Sequence, residues 1–238
     1  MASINPTQDY DAIHTLTFTS ASGTCKIRLH RGSFSTYTGT VYYRAGTSGA
    51  WTSLSVSGNS TTFPVTSTTM QIGHDWNKDG DNYMTPSFWG QSTNLVGISI
   101  SQKAVLSGTV GKNFMISYAD ACTSLISLDV PDTSGITSVG DYFMSFYAYN
   151  CTSLISLILP AVGWFGSHNV DWSIPSGRLG YLKGYANNVT DRDNWRALTT
   201  SSSPNTLYIN YIRSADDVIL PPTPVVGEKY ALPPFRRA

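Results

Sequence analysis

The chain has 238 residues, of which 41% are apolar and 13% charged, and its basic and acidic side chains cancel to a formal charge of zero. That apolar share supports a folded core, while the sparse, balanced charge excludes the basic footprint of a nucleic-acid binder. No stretch approaches the ~18 apolar residues of a membrane span, and Met1–His14 lacks the basic and apolar regions of a secretory signal.

From residue 10 to about 73 the sequence alternates in the period of two that marks half-buried strands. The inward positions are Leu16/Phe18, Cys25/Ile27/Leu29, Val41/Tyr43, Leu54/Val56, Phe63/Val65 and Met70/Ile72. Gly- and Ser-rich breaks at Ala21–Gly23, Gly32–Ser35, Gly46–Gly49 and Ser57–Ser60 separate them at hairpin intervals. Six short strands with this punctuation predict a small antiparallel β-sandwich over 1–85.

The segment Asp75-Trp76-Asn77-Lys78-Asp79-Gly80-Asp81 matches the first half of a calcium loop. Asp75, Asn77 and Asp79 supply oxygens at alternating positions, a glycine follows, and Asp81 lies one step beyond. The twelfth position is Pro86, where a bidentate Glu is expected, so a bare Asp/Asn/Gly turn competes with calcium. Trp76, Tyr83 and Trp89 flank this turn, either as anchors for a protein or a glycan or as a small apolar core between domains.

The middle of the chain repeats itself. Cys122-Thr-Ser-Leu-Ile-Ser-Leu128 recurs as Cys151-Thr-Ser-Leu-Ile-Ser-Leu157, and Phe114-Met115 and Tyr118-Ala119 recur as Phe143-Met144 and Tyr147-Ala148. A degenerate earlier copy runs over Asn94–Ile100, aligned by Leu95, Ile98 and Ile100, and Asn205–Asn210 is a candidate late one. Identity at a fixed period predicts stacked coils, because one coil cannot bury its apolar edge alone. Leu125, Leu128, Leu154 and Leu157 form that edge, and Cys122 and Cys151 fall side by side. A disulfide and a ladder of buried thiols both satisfy that placement. Ser107–Lys112 imitates a phosphate loop but has Leu106 where the first glycine belongs and Asn113 in place of Ser or Thr.

The run Cys122–Pro131, with Ile136-Thr-Ser-Val-Gly140, Phe143 and Cys151, resembles the BspA-like leucine-rich repeats of bacterial surface proteins. The likeness covers about 92–160, with weaker echoes to about 212. It implies one short strand per repeat, here Ile126–Val130 and Ile155–Leu159, in a parallel sheet. It also implies surface display and adhesion to protein or glycan, and similar repeats suit phage structural proteins.

From Pro160 to about Tyr211 the repeat loosens, which predicts an irregular cap closing a repeat domain over 86–213. The remainder, 214–238, carries Pro221, Pro222, Pro224, Pro233 and Pro234 and reads as an extended arm. Its end, Phe235-Arg236-Arg237, is a candidate contact with its own domain or with a neighbouring subunit. The chain contains no GxSxG or HExxH, and His14, His30, His74 and His168 are scattered. The resulting expectation is a mainly β, non-catalytic structural or binding protein, with calcium the one cofactor considered. Its expected partners are other protein subunits, of itself or of a capsid or tail, and its expected place is a virion or an extracellular surface. A glycan-binding surface adhesin and a carbohydrate-active enzyme are the alternatives. Neither nucleic acid nor membrane is an expected partner.

Overall fold

The structure, a computed structural model, describes residues 9–154 except 59, 77, 78, 90–93, 104, 105, 134, 141, 142 and 145, together with the backbone of three strands at 156–158, 183–186 and 211–214. None of the described residues is helical, and among them no helix is long and apolar enough to cross a membrane. The first eight strands are β1 (Ala12–Phe18), β2 (Thr24–Arg31), β3 (Ser33–Thr36), β4 (Gly39–Ala45), β5 (Thr52–Val56), β6 (Thr61–Pro64), β7 (Thr69–His74) and β8 (Thr85–Phe88). Each of the six strands expected from alternation is among them, with β3 and β8 in addition. The alternation works as its physics requires: Ala12, His14, Leu16 and Phe18 of β1 are buried, and the residues between them are more open.

Two sheets result. One holds β3, β2 and β6, with β8 on the other edge of β2. The other is antiparallel in the order β9-β1-β7-β4-β5, where β9 is Leu95–Gln102. Leu16, Val41, Met70 and Ile72 of the larger sheet share one apolar core with Cys25, Ile27, Leu29 and Phe63 of the smaller. The ring of Tyr43 lies 5.4 Å from that of Phe63 across the gap between them.

The larger sheet does not stop at β9. Its far edge pairs in parallel with β11 (Ser127–Leu128), then β13 (Ser156–Ile158), β14 (Lys183–Ala186) and β15 (Tyr211–Ser214). Ser127 stands opposite Gly97, Ser156 opposite Ser127, Lys183 opposite Ser156 and Tyr211 opposite Lys183. Each rung therefore follows the last by 27 to 30 residues. A second parallel pair, β10 (Ser107–Val110) with β12 (Gly135–Val139), repeats the offset on another side of the coil. The Leu128–Ile98 pairing matches the alignment of the degenerate copy by Ile98. The strand β14 adds a parallel rung within the stretch 160–211, where the sequence predicts an irregular cap; the rest of that stretch, up to β15, lies outside the described residues. The β14 sequence, Lys-Gly-Tyr-Ala, lacks the Leu/Ile pattern of the other rungs, so backbone pairing alone marks it. The proposed late copy at 205–210 lies just outside the described residues, immediately before β15. The expected boundary at residue 86 falls within β8.

Between rungs the chain runs through consecutive turns with an uncommon backbone. Met115, Ser117 and Ala121 have φ of 51°, 51° and 57°, and Met144, Phe146 and Asn150 repeat them at 50°, 55° and 56°. A left-handed non-glycine residue costs roughly 1–2 kcal/mol. Coil-to-coil hydrogen bonds hold these turns: Ala119 N and Ala121 N donate to Tyr147 O and Tyr149 O at 2.9 and 2.7 Å, and Met144 N donates to Phe114 O at 2.7 Å. Identical side chains then stack on each other, Phe114 on Phe143 at 5.4 Å and Tyr118 on Tyr147 at 5.0 Å. The edge of β8 serves as the coil beneath, since Phe88 N donates to Tyr118 O at 2.6 Å and Ser87 Oγ to Ser117 O at 2.5 Å.

Candidate functional site

The densest polar constellation lies where the two-sheet body meets the first stacked turn. His14 of β1, His74 of β7 and Tyr118 of the turn run are each at most 1% exposed. His74 Nδ1 is 3.0 Å from the carbonyl of Asp75, His74 Nε2 is 2.8 Å from His14 Nε2, and His14 Nδ1 is 2.6 Å from the Tyr118 hydroxyl. These contacts fix every proton in the chain. A carbonyl only accepts, so His74 carries its proton on Nδ1. Its bare Nε2 accepts from His14 Nε2–H, which leaves His14 Nδ1 bare to accept from Tyr118 O–H.

Burial keeps the system neutral. It lowers His14 well below the ordinary imidazole range, and the neighbouring His74 lowers it further. His74 is lowered to about 4, again by burial, against the smaller raising effects of the Asp75 carbonyl and the Asp75 and Asp11 charges. Tyr118 is raised by burial and by Asp129 and Cys122. The rings of His14 and His74 stack at 5.0 Å, with Phe88 and Trp76 edge-on around them at 5.7 and 5.0 Å. All three members are buried, and this chain of hydrogen bonds joins β1 and β7 of the body to the turn at Tyr118. The sequence contained its signal: His14 and His74 occupy inward positions in the alternations Ala12-His14-Leu16 and Met70-Ile72-His74.

The thiols pack in the same interior. Cys122 Sγ donates to Phe88 O at 3.2 Å and Cys151 Sγ to Ala119 O at 2.9 Å, so each coil's cysteine binds the backbone of the coil before it. Cys25, Cys122 and Cys151 are all free and buried. Burial pushes Cys122 up to about 12 and raises Cys151 as well. Leu125, Leu128 and Leu154 are buried, and Leu157 pairs by backbone with Leu128.

The acidic turn is a tight hairpin in which Asp79 and Asn82 exchange both backbone hydrogen bonds at 2.9 and 3.0 Å. The carboxylate of Asp75 accepts from Asp11 N at 3.3 Å, and that of Asp11 accepts from Trp76 N at 3.2 Å. Asp79 pairs instead with Arg31 at 3.5 Å, and Asp81 is exposed. Asn77 lies outside the described residues, and among those described no three His, Cys, Asp or Glu side chains gather as metal ligands.

The aromatic residues around this turn divide. Trp76 is buried, with Tyr83 edge-on at 6.2 Å and Phe114 at 5.9 Å, so both belong to the interior joining body and coil. Trp89 stands apart on the surface, half-buried, beside Lys26 and Arg28. Phe235, Arg236 and Arg237 lie outside the described residues. No family model, curated protein or solved structure matches this chain.

Proposed function

We propose that the protein is a non-catalytic structural and binding protein, a β-sandwich carrying a short leucine-rich-repeat-like stack, that serves as a virion surface component. In this reading it is a capsid decoration or tail protein that makes its contacts through protein surfaces. The observation that carries the proposal is the continuous sheet, in which parallel rungs 27 to 30 residues apart extend an antiparallel body without a break in hydrogen bonding. Such a stack is a rigid spacer whose successive coils present side chains at fixed intervals. The buried His14, His74, Tyr118, Cys122 and Cys151 bind one another or the backbone, which supports a role in contact rather than chemistry. A balanced, sparsely charged chain also has little repulsion to keep neighbouring subunits apart.

Light scattering on the purified native chain, with sedimentation alongside candidate particles, tests the reading. A trimer or larger assembly, or co-sedimentation, is the expected result. A monomer that never co-sediments overturns it. Ile126 and Tyr149, exposed at 43% and 38% on the coil side, favour a surface adhesin as the second reading.

A further inference from the structure

A second cluster lies outside the core, where the turn run meets the end of β8. Trp89 directly follows Phe88, which pairs with Ile27. Arg28 Cζ lies 4.6 Å and Lys26 Nζ 5.2 Å from the centroid of its ring. The Trp89 side chain hydrogen-bonds the Asp120 carboxylate, and Arg28 acts on the same group. The indole is thus held from several sides and keeps part of its surface open. One coil on, the 29-residue offset puts Tyr149 where Asp120 stands in the preceding turn, fixed by the hydrogen bond from Ala121 N to Tyr149 O. Tyr149 is 38% exposed and meets the Phe146 ring edge-on at 5.6 Å.

We propose that Trp89, Asp120 and Tyr149 form a binding strip for a neutral polysaccharide chain. Sugar rings present apolar C–H faces and a rim of hydroxyls. They need flat aromatic platforms together with acceptors and donors held beside them. Tyr149 and the part of the Trp89 indole that Arg28 and Lys26 leave open are the platforms, Asp120 between them accepts from hydroxyls, and Arg28 donates. Coils rise about 4.8 Å each, so the platforms stand ~10 Å apart along the stack, about the span of a disaccharide. The clamp on Trp89 removes much of the ordering cost of binding. This site is independent of whether the protein assembles on a particle.

The test is affinity electrophoresis of the full native chain in gels containing dextran, galactomannan or hydroxyethylcellulose. At least one of the three is expected to retard the protein, and the retardation should persist in about 1 M salt, where charge attraction is screened within ~3 Å. Tyr149→Ser and Trp89→Leu should each weaken it tenfold or more. Tyr149→Ser, at an exposed position, should melt with the wild type, so it decides the matter if Trp89→Leu fails to fold. No retardation in any of the three gels, equal retardation of wild type and Tyr149→Ser, or retardation abolished by salt would each overturn the proposal.

Discussion

Lowering the pH from 7 to 4.5 sets three buried imidazoles against the solvent. An unfolded histidine takes up its proton near pH 6.5. In the native chain His74 and His30 do so only near 4, and His14 is likewise held well below the ordinary imidazole range, chiefly because burial disfavours the charged ring. Between those limits the unfolded state binds more protons than the native one, so unfolding free energy falls as pH falls. Each ring contributes about 1.4 kcal/mol per pH unit. Over the two units from 6.5 to 4.5 this amounts to about 5 kcal/mol for His30 and His74 together, near the lower end of a typical domain's whole stability, and His14 acts in the same direction. Asp120 and Asp129 act in the opposite sense. Burial raises both, so the native state holds their protons longer and regains part of the loss in acid. Urea midpoints measured at pH 7, 6, 5 and 4.5 should therefore decline steeply below 6.5. A midpoint that stays constant between pH 6.5 and 5 would refute the assignment of neutral, proton-refusing rings.

The remaining expectations are narrower. Tyr118→Phe removes the donor to His14 Nδ1 and leaves that nitrogen buried without a partner. The expected cost is about 1–3 kcal/mol, read as a lower urea midpoint with an unchanged slope. Gly73→Ala should destabilise by a similar ~1–3 kcal/mol, because a Cβ there would run into the Tyr10 ring, itself wedged between Tyr42 and Trp51. Scanning calorimetry on Gly73→Ala and on Gly46→Ala, where a Cβ meets open space but φ is +68°, separates collision from backbone strain. Adding a chelator should leave the melting temperature unchanged, since Asp75 and Asp79 are engaged by Asp11 and Arg31. A drop on chelation would assign calcium to the Asp75–Asp81 turn.

The antiparallel body was legible because its signal is local. Inward residues such as Cys25, Ile27 and Leu29 sit two apart, and each can be read without knowing its partner. The parallel pairing at a 29-residue offset was legible only where side chains repeat, as in Cys122–Leu128 and Cys151–Leu157. The rung at Lys183–Ala186 is held by main-chain pairing and carries no such mark. The histidine–tyrosine chain joins positions 60 and 104 residues apart, and nothing in the composition of either neighbourhood pairs them. Trp76 and Trp89 looked alike beside the acidic turn. Strand β8 separates them, leaving one inside among Tyr83 and Phe114 and the other outside over Lys26 and Arg28.

A solenoid needs a cap at its first coil, or its apolar end stays wet. Here β9 is both the outer strand of the antiparallel sheet, paired with β1 from Ala12 to Phe18, and the first parallel rung. The body is therefore the cap. Leu95, Ile98, Phe114 and Tyr118, each at most 2% exposed, pack in the same core as the strands of the body. Burying a large apolar side chain is worth about 1.5–3 kcal/mol. Uncovering even half of that on four residues removes several kcal/mol, close to the full margin of a small domain. A fragment starting at residue 86 should accordingly lack a cooperative thermal transition by circular dichroism, although it contains both copies of the repeat. If that fragment melts cooperatively and keeps its β spectrum, the stack carries its own cap, and the hydrogen-bond chain through His14 and His74 is an attachment rather than a foundation.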